Sequence, residues 1–361
     1  MALALALGAR GLGRTWPNPA VGAVIVRNDG EGPVIVGRGW TQPGGRPHAE
    51  TEALQRAGEA ARGATLYVTL EPCSHHGKTP PCADAIVAAG VARVVSAMVD
   101  PNPEVSGAGH WRMAEAGVVV EVGVGAEEAA RTHAGHIRRV RDGRPHVLLK
   151  LAVSADGKAG LAGRRPTAIT GEAARAHVHG LRAISDALLT GIGTVLADDP
   201  LLTCRLPGMA ERSPVRIVLD SALRLPPEGR LAATAREVPL WIVTGEAAPK
   251  ERVEALQRRG AEVLSVASSG DELDLAAVLR SLAERGITRL MVEAGPILAA
   301  AFLAEDLVDE AVLLRAPTSI GADGIDALEG RPLEALIRSS RLVLTDSETV
   351  GPDAMEHYQR Q

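Results

Sequence analysis

Aromatic side chains are nearly absent from this chain of 361 residues, which holds one Phe, two Tyr and four Trp. Its cores must therefore be built from Ala, Val, Leu and Ile. Cysteine is also scarce: three residues, an odd number, suggest no disulfide framework and fit a reducing cytoplasm. Positive charge is in deficit. The net charge is -5, with no Lys/Arg run able to follow a phosphate backbone, which argues against nucleic acid as a primary partner. No segment stays apolar and uncharged long enough to span a bilayer. The opening run Met1 to Leu7 is apolar, but no basic segment precedes it and it breaks at Gly8-Ala9-Arg10, so it is not expected to act as a secretory signal.

What is present is enough chain for two domains of ordinary size and a repeated alternation of strand and helix signals. Val21 to Val26 and Pro33 to Gly37 read as strands around the turn Asn28-Asp29-Gly30. A helix over Glu50 to Ala61 closes at Gly63, and Ala64 to Leu70 follows as a buried strand. Cys82 to Ala89 reads as a helix ending at Gly90, and Ala92 to Val99 as another buried strand. This succession implies right-handed crossovers and a layered α/β domain. The stretch 138–145 (RRVRDGRP) is charged and broken by Gly and Pro, and marks the expected boundary. Beyond it, strands are expected over Val147 to Val153, Ala187 to Thr190, Val215 to Asp220, Leu240 to Thr244, Arg289 to Glu293 and Glu310 to Arg315.

Three short pieces fit together as one metal site: His48-Ala49-Glu50, Pro72-Cys73 and Pro81-Cys82. An imidazole, two thiolates and a nearby carboxylate that is not itself a ligand are what a zinc centre needs to activate water and shuttle its proton. Histidine and glutamate two apart are, alone, more often a helix-start pair. The two Pro-Cys pairs at a strand end and a helix start turn the balance toward the nucleobase deaminase pattern. His75 and His76 are rival ligands. The common signature separates the cysteines by two residues, whereas here 74–81 (SHHGKTPP) intervenes, a loop whose His and Lys would supply donors to an anionic or carbonyl-rich substrate.

These residues also resemble a known family. TWPNPAVGAVIV at 15–26, HAETEAL at 48–54, YVTLEPCSHHGKTPPC at 67–82 and DPNPEVSGAG at 100–109 are similar to the deaminase half of the bifunctional riboflavin biosynthesis proteins. KLAVSADGKA at 150–159, TGIGTVLADDPLLTCR at 190–205, RIVLDS at 216–221 and VEAGPILAAAFL at 292–303 resemble their reductase half. The resemblance implies an α/β chain with an N-terminal cytidine deaminase-like three-layer α/β/α domain over 1–144, a zinc-dependent pyrimidine deaminase. It further implies a C-terminal dihydrofolate reductase-like α/β domain over 145–361 that uses NADPH. The first would convert 2,5-diamino-6-(5-phosphoribosylamino)pyrimidin-4-one to 5-amino-6-(5-phosphoribosylamino)uracil, and the second would reduce the ribose to ribityl. By this resemblance His48, Cys73 and Cys82 bind zinc, Glu50 is general base and then general acid, and Asn18, His76 and Lys78 lie near substrate. Asn18 between two prolines reads equally well as a turn residue. Ala152, Thr194, Asp198, Ser221 and the run Gly295, Pro296, Ile297, Leu298, Ala299, Ala300 and Ala301 fall at the NADPH site. Arg182, Leu202, Arg205 and Glu293 fall at the substrate, where two arginines suit a phosphate.

The second half has no G-x-G-x-x-G between a strand and a helix, and Gly191-Ile192-Gly193 is half such a motif, more often a tight turn alone. The chain departs from the family in three places. Its start is short and lacks the acidic and aromatic residues usual before the first helix, so either that helix is frayed or the start is misassigned. Ala23 replaces a common cysteine, and Pro166-Thr167-Ala168 stands where a Ser and a Trp are frequent, which weakens that edge of the cofactor site. Cys204 reads as a small buried apolar residue. Two other functions are therefore weighed: a deaminase with a non-catalytic second domain, and a nucleic-acid deaminase, against which the acidic balance and the long loop before Cys82 count. The protein is expected to act in the cytoplasm as a homo-oligomer on a small phosphorylated pyrimidine, with neither nucleic acid nor membrane as partner.

Overall fold

The computed structural model describes residues 1–30, 32–75, 80–161, 167–269 and 272–361, and the chain divides into two units, Met1–Arg144 and Pro145–Gln361. In the first, α1 (Ala2–Ala9), β1 (Gly22–Asn28), β2 (Pro33–Trp40), α2 (Ala49–Ala57), β3 (Thr65–Val68), α3 (Cys82–Ala88), β4 (Arg93–Ser96), α4 (Ala108–Glu115), β5 (Val119–Val122), α5 (Ala126–Thr132) and α6 (Ala134–Asp142) follow in turn. The sheet order is β2-β1-β3-β4-β5, antiparallel at its first two junctions and parallel at the others.

Alternation along β1 makes the layers. Ala23 and Ile25 pack with Ala49 and Ala53 of α2, while Val24 packs on the other face with Ala4 and Leu7 of α1. Glycines set how closely these helices lie on the sheet. A Cβ on Gly39 would come within 2.3 Å of the Ala49 carbonyl oxygen, and one on Gly37 within 2.2 Å of that of Ala53. Backbone contact of this kind fixes α2 directly on β2, with His48 and Glu50 at its leading end. Gly22 plays the same part for α1, where a Cβ would sit 1.8 Å from the Ala4 carbonyl oxygen. The first helix is thus not frayed: Ala4, Leu5, Leu7 and Gly8 are buried in it. Helix α2 is shorter than the spacing predicts, because Gly58 takes a positive φ of 53° and the chain goes on to Ala61 as a 3-10 turn.

The second unit runs β6 (His146–Val153), β7 (Lys158–Gly160), α7 (Glu172–Ala183), β8 (Ala187–Gly191), α8 (Ile192–Asp198), β9 (Val215–Leu219), α9 (Arg230–Ala233), β10 (Leu240–Gly245), α10 (Lys250–Arg259), β11 (Glu262–Val266), β12 (Ser268–Ser269), β13 (Glu272–Leu273), α11 (Leu275–Glu284), β14 (Arg289–Val292), α12 (Pro296–Ala304), β15 (Glu310–Arg315), β16 (Ile325–Asp326), α13 (Glu334–Ile337), β17 (Leu342–Val350) and β18 (Asp353–Arg360). Nine strands form one sheet in the order β11-β10-β9-β8-β14-β6-β15-β18-β17. It is parallel from β11 to β15, and antiparallel where β18 and β17 extend it. The parallel strands are continuous apolar runs because both faces are covered. The antiparallel pair escaped the sequence reading because β17 is almost wholly exposed and lacks that signature. No helix among the described residues is long and apolar enough to cross a membrane.

Candidate active sites

His48 caps the start of α2, Cys73 lies on the segment leaving β3, and Cys82 opens α3. Folding brings one donor atom of each within 4.8 Å of the others. His48 Nδ1 is 3.7 Å from Cys73 Sγ and 3.3 Å from Cys82 Sγ. Zinc bonded tetrahedrally to nitrogen and sulfur sets its ligand atoms about 3.5–3.8 Å apart, so this donor set fits zinc, with a fourth position left for water. His75 is exposed and is not one of the clustered donors, whereas His76 and Lys78 lie outside the described residues.

The electrostatics suit the metal. Cys73 Sγ accepts from the Cys82 thiol and from the Cys82 backbone N–H at 3.3 Å, and it is held down to about 4 despite burial. Cys82 is pushed up chiefly as the donor in that bond, and a cation bound between the sulfurs would favour the thiolate form of both. His48 is raised, first through Cys73. Glu50, 4% exposed, is pushed up to about 7 by burial, the range in which a carboxyl group both takes and gives a proton near neutrality.

Two positioning devices are set by contacts distant in the chain, one at Glu71, which the sequence did not single out, and one at Asn18, which the resemblance places near substrate. The buried Glu71 carboxylate accepts backbone N–H groups from Asp100 at 3.1 Å, Gly107 at 2.9 Å, Gly109 at 2.8 Å and His110 at 3.3 Å, tying the segment before Cys73 to the start of α4. A Cβ on Gly109 would lie 2.1 Å from the Pro72 carbonyl oxygen, so the close approach requires glycine. Asn18 Nδ2 donates to the Gly45 carbonyl oxygen at 3.0 Å and so braces the loop that leads into His48.

In the second unit a cavity of about 840 Å³ opens at the carboxyl ends of β6, β8, β9 and β14, where parallel sheets place their ligands. Ala152, Thr194, Asp198, Ser221, Gly295, Pro296, Ile297, Leu298, Ala301, Arg182, Arg205 and Glu293 all line it. Ala299, Ala300 and Leu202 do not. A helix turns about 100° per residue, so α12 cannot aim seven successive side chains at one cavity, and Ala299 and Ala300 point into the core. At Leu202 the backbone takes φ 55° and the side chain joins an apolar cluster with Val195, Leu223 and Leu225. Of the altered stretch, Thr167 and Ala168 line the cavity, while Pro166 lies outside the described residues.

Arg182 does not stand free for a phosphate. Its Nε donates to Glu293 Oε1 at 2.6 Å, Nη2 to Oε2 at 2.9 Å, and Nη1 to the Thr203 carbonyl oxygen at 3.0 Å. Burial raises the Glu293 carboxyl, but Arg182 outweighs it and holds the group below its ordinary range. Lys150, also lining the cavity, is lowered by burial with Glu293 partly opposing. The sequence reading did not single out Lys150; a lysine inside the apolar strand β6 is the signal that could have found it. His179 lines the cavity as well, and its Nδ1 accepts the Arg205 backbone N–H at 3.3 Å, which leaves Nε2 to carry the proton of the neutral ring. Backbone N–H groups at the start of α12, beside Gly295, give the cavity donors of the kind an anionic dinucleotide needs.

Both halves of the chain match known proteins. Residues 1–98 match the family described as the cytidine and deoxycytidylate deaminase zinc-binding region, and residues 145–355 the RibD C-terminal domain. The chain is 44% identical over 370 residues to riboflavin biosynthesis protein RibD of Escherichia coli (strain K12), covering 99% of this chain and 97% of that one. The solved structure of Acinetobacter baumannii RibD, 36% identical, superposes with a TM-score of 0.87 over 100% of this chain and 97% of its own. That of the diaminohydroxyphosphoribosylaminopyrimidine deaminase/5-amino-6-(5-phosphoribosylamino)uracil reductase of Thermotoga maritima, 34% identical, gives 0.85 over the same shares.

Proposed function

This chain belongs to the RibD family of riboflavin biosynthesis proteins, and from that membership we propose the roles of its residues in two successive reactions. The protein is a bifunctional enzyme, a zinc-dependent deaminase and an NADPH-dependent reductase. The first reaction converts 2,5-diamino-6-(5-phosphoribosylamino)pyrimidin-4-one to 5-amino-6-(5-phosphoribosylamino)uracil, and the second reduces the ribose of that product to ribityl.

Zinc, when bound, supplies a Lewis acid that brings the pKa of water toward neutrality. His48, Cys73 and Cys82 hold it, and Glu71 keeps Cys73 in place through four backbone amides. Glu50 takes the proton from water as it attacks the amino-bearing ring carbon, then delivers it to the departing ammonia. Asn18, His76 and Lys78 are assigned to the substrate by their match to the family motifs. In the second unit NADPH supplies the reducing equivalents, and Ala152, Thr194, Asp198, Ser221 and the start of α12 form its seat. Lys150 Nζ holds a proton for the ribose oxygen, with Glu293 and Arg182 fixing its surroundings, and Arg205 and His179 serve the phosphate-bearing substrate. His48, Cys73 and Cys82 converging beside buried Glu50 is the observation that carries this function.

Purified protein with zinc is expected to release ammonia from the diaminopyrimidinone and then to consume NADPH. A chelator should stop the first step and leave the second intact when deaminated intermediate is supplied. NADPH absorbance that stays constant with that intermediate would return the second unit to a non-catalytic role.

Working in the cytoplasm and as a homo-oligomer completes the proposal. Strand β17 supports association, since among the described residues it ends the nine-stranded sheet and leaves Val343 and Leu344 exposed. Light scattering should give a mass of at least two chains, and a mass of one would refute assembly.

A further inference from the structure

Two cationic side chains that line the second cavity, Arg175 and Arg224, have no part in the roles above, and Arg175 Nη1 is spent on the Thr170 carbonyl oxygen at 2.7 Å. Arg224 lines the cavity three residues after Ser221, in the turn that leaves β9. That turn is braced from three sides. Asp220 Oδ2 accepts the Leu225 backbone N–H at 2.8 Å, Thr244 Oγ1 donates to the Ser221 carbonyl oxygen at 3.0 Å, and Arg252 Nη1 donates to that of Leu223 at 2.8 Å. The Arg224 side chain itself is 56% exposed. Its carboxylate neighbour Asp220 is 3.9 Å away, beyond hydrogen-bond length, so this acid does not consume the guanidinium donors.

Position along the sheet edge separates Arg224 from the other basic groups. Arg182 is locked to Glu293 at the end of β14, beside Lys150 of β6. Ser221 and Arg224 follow β9, which lies two places from β14 in the order β9-β8-β14. Two strand spacings are about 10 Å. Helix α12 starts at Pro296, just past β14, and its free N–H groups suit a pyrophosphate. A dinucleotide phosphate carries a second anionic group, the 2′-phosphate, one ribose from its pyrophosphate. That span matches the step from the start of α12 to the turn after β9.

We propose that Arg224, together with Ser221, binds the 2′-phosphate and so selects NADPH over NADH. The planar guanidinium fork matches two phosphate oxygens at once, which an uncharged or shorter side chain cannot do. This proposal rests on the reductase reading of the second unit.

Equilibrium binding of NADP+ and NAD+, which differ only in that phosphate, tests it without turnover. The full zinc-loaded chain should prefer NADP+. Arg224→Gln is expected to weaken NADP+ by about tenfold to a hundredfold while leaving NAD+ unchanged, and Arg224→Lys should fall between, keeping the charge without the fork. NADP+ affinity unchanged in Arg224→Gln, or equal weakening of both nucleotides, overturns the proposal while the reductase reading stands. An unsubstituted chain that binds neither nucleotide overturns both.

Discussion

Glu50→Gln is expected to keep one zinc per chain and to lose ammonia release by about 10³-fold in kcat, within the range general acid-base catalysis supplies. Glutamine has almost the same volume and fills the same pocket, so the fold should be kept. It cannot take a proton from water or return one to a leaving amine. Because His48, Cys73 and Cys82 make up the donor set, metal content should not change. Reduction of supplied intermediate should also be unaffected, since the described residues that line that cavity all belong to the second unit. Elemental analysis and an ammonia assay on one preparation check this. Loss of stoichiometric zinc would make Glu50 a ligand rather than a proton carrier, and activity within tenfold of the parent would remove it from the mechanism.

Arg182→Ala should lower the stability of the second unit by about 3 kcal/mol at neutral pH, the cost of leaving a buried charge with its main partner removed. Both side chains of the pair are nearly inaccessible, at 11% and 12% exposure, so solvent screens the interaction little. Lys150 remains beside Glu293 and offsets part of the loss. The pH dependence follows from the direction of the shift. Glu293 is held low in the folded protein, so its pair contributes full stability above the ordinary glutamate range and loses it as pH falls through the depressed value. In Arg182→Ala, burial is opposed only by the weaker pull of Lys150 and His179, and the carboxyl rises. Protonation then relieves the variant, so its deficit should be largest near pH 7 and shrink toward about pH 5. Chemical denaturation of both proteins across this window decides the matter. A deficit that grows as pH falls would contradict the assigned charge state. Reduction should fall with the substitution, while ammonia release should not.

The zinc site was legible because its chemistry is carried by rare residue types at local spacings. His48 and Glu50 start one helix, Cys82 starts another, and Pro72 and Pro81 mark the breaks where the chain leaves regular structure. The reductase residues were legible only through resemblance, and unevenly. A contiguous run from Gly295 to Ala301 spells one motif, but the helix sends Ile297 and Leu298 to the cavity and Ala299 and Ala300 to the core. Leu202 went to the core for a similar reason, a local turn with positive φ.

By itself the sequence determined the α/β class of fold and singled out the candidate metal donors His48, Cys73 and Cys82 with Glu50 beside them, because apolar periodicity and ligand chemistry are properties of neighbouring residues. Tertiary structure alone decided that Arg182 is spent on Glu293, that Lys150 and His179 face the same cavity, and that Glu71 braces the segment before Cys73 through amides of residues 100–110. Those contacts join positions far apart in the chain. Which partner a buried charge finds depends on how strands are ordered and how closely glycines let backbones approach, and neither is written in a local motif.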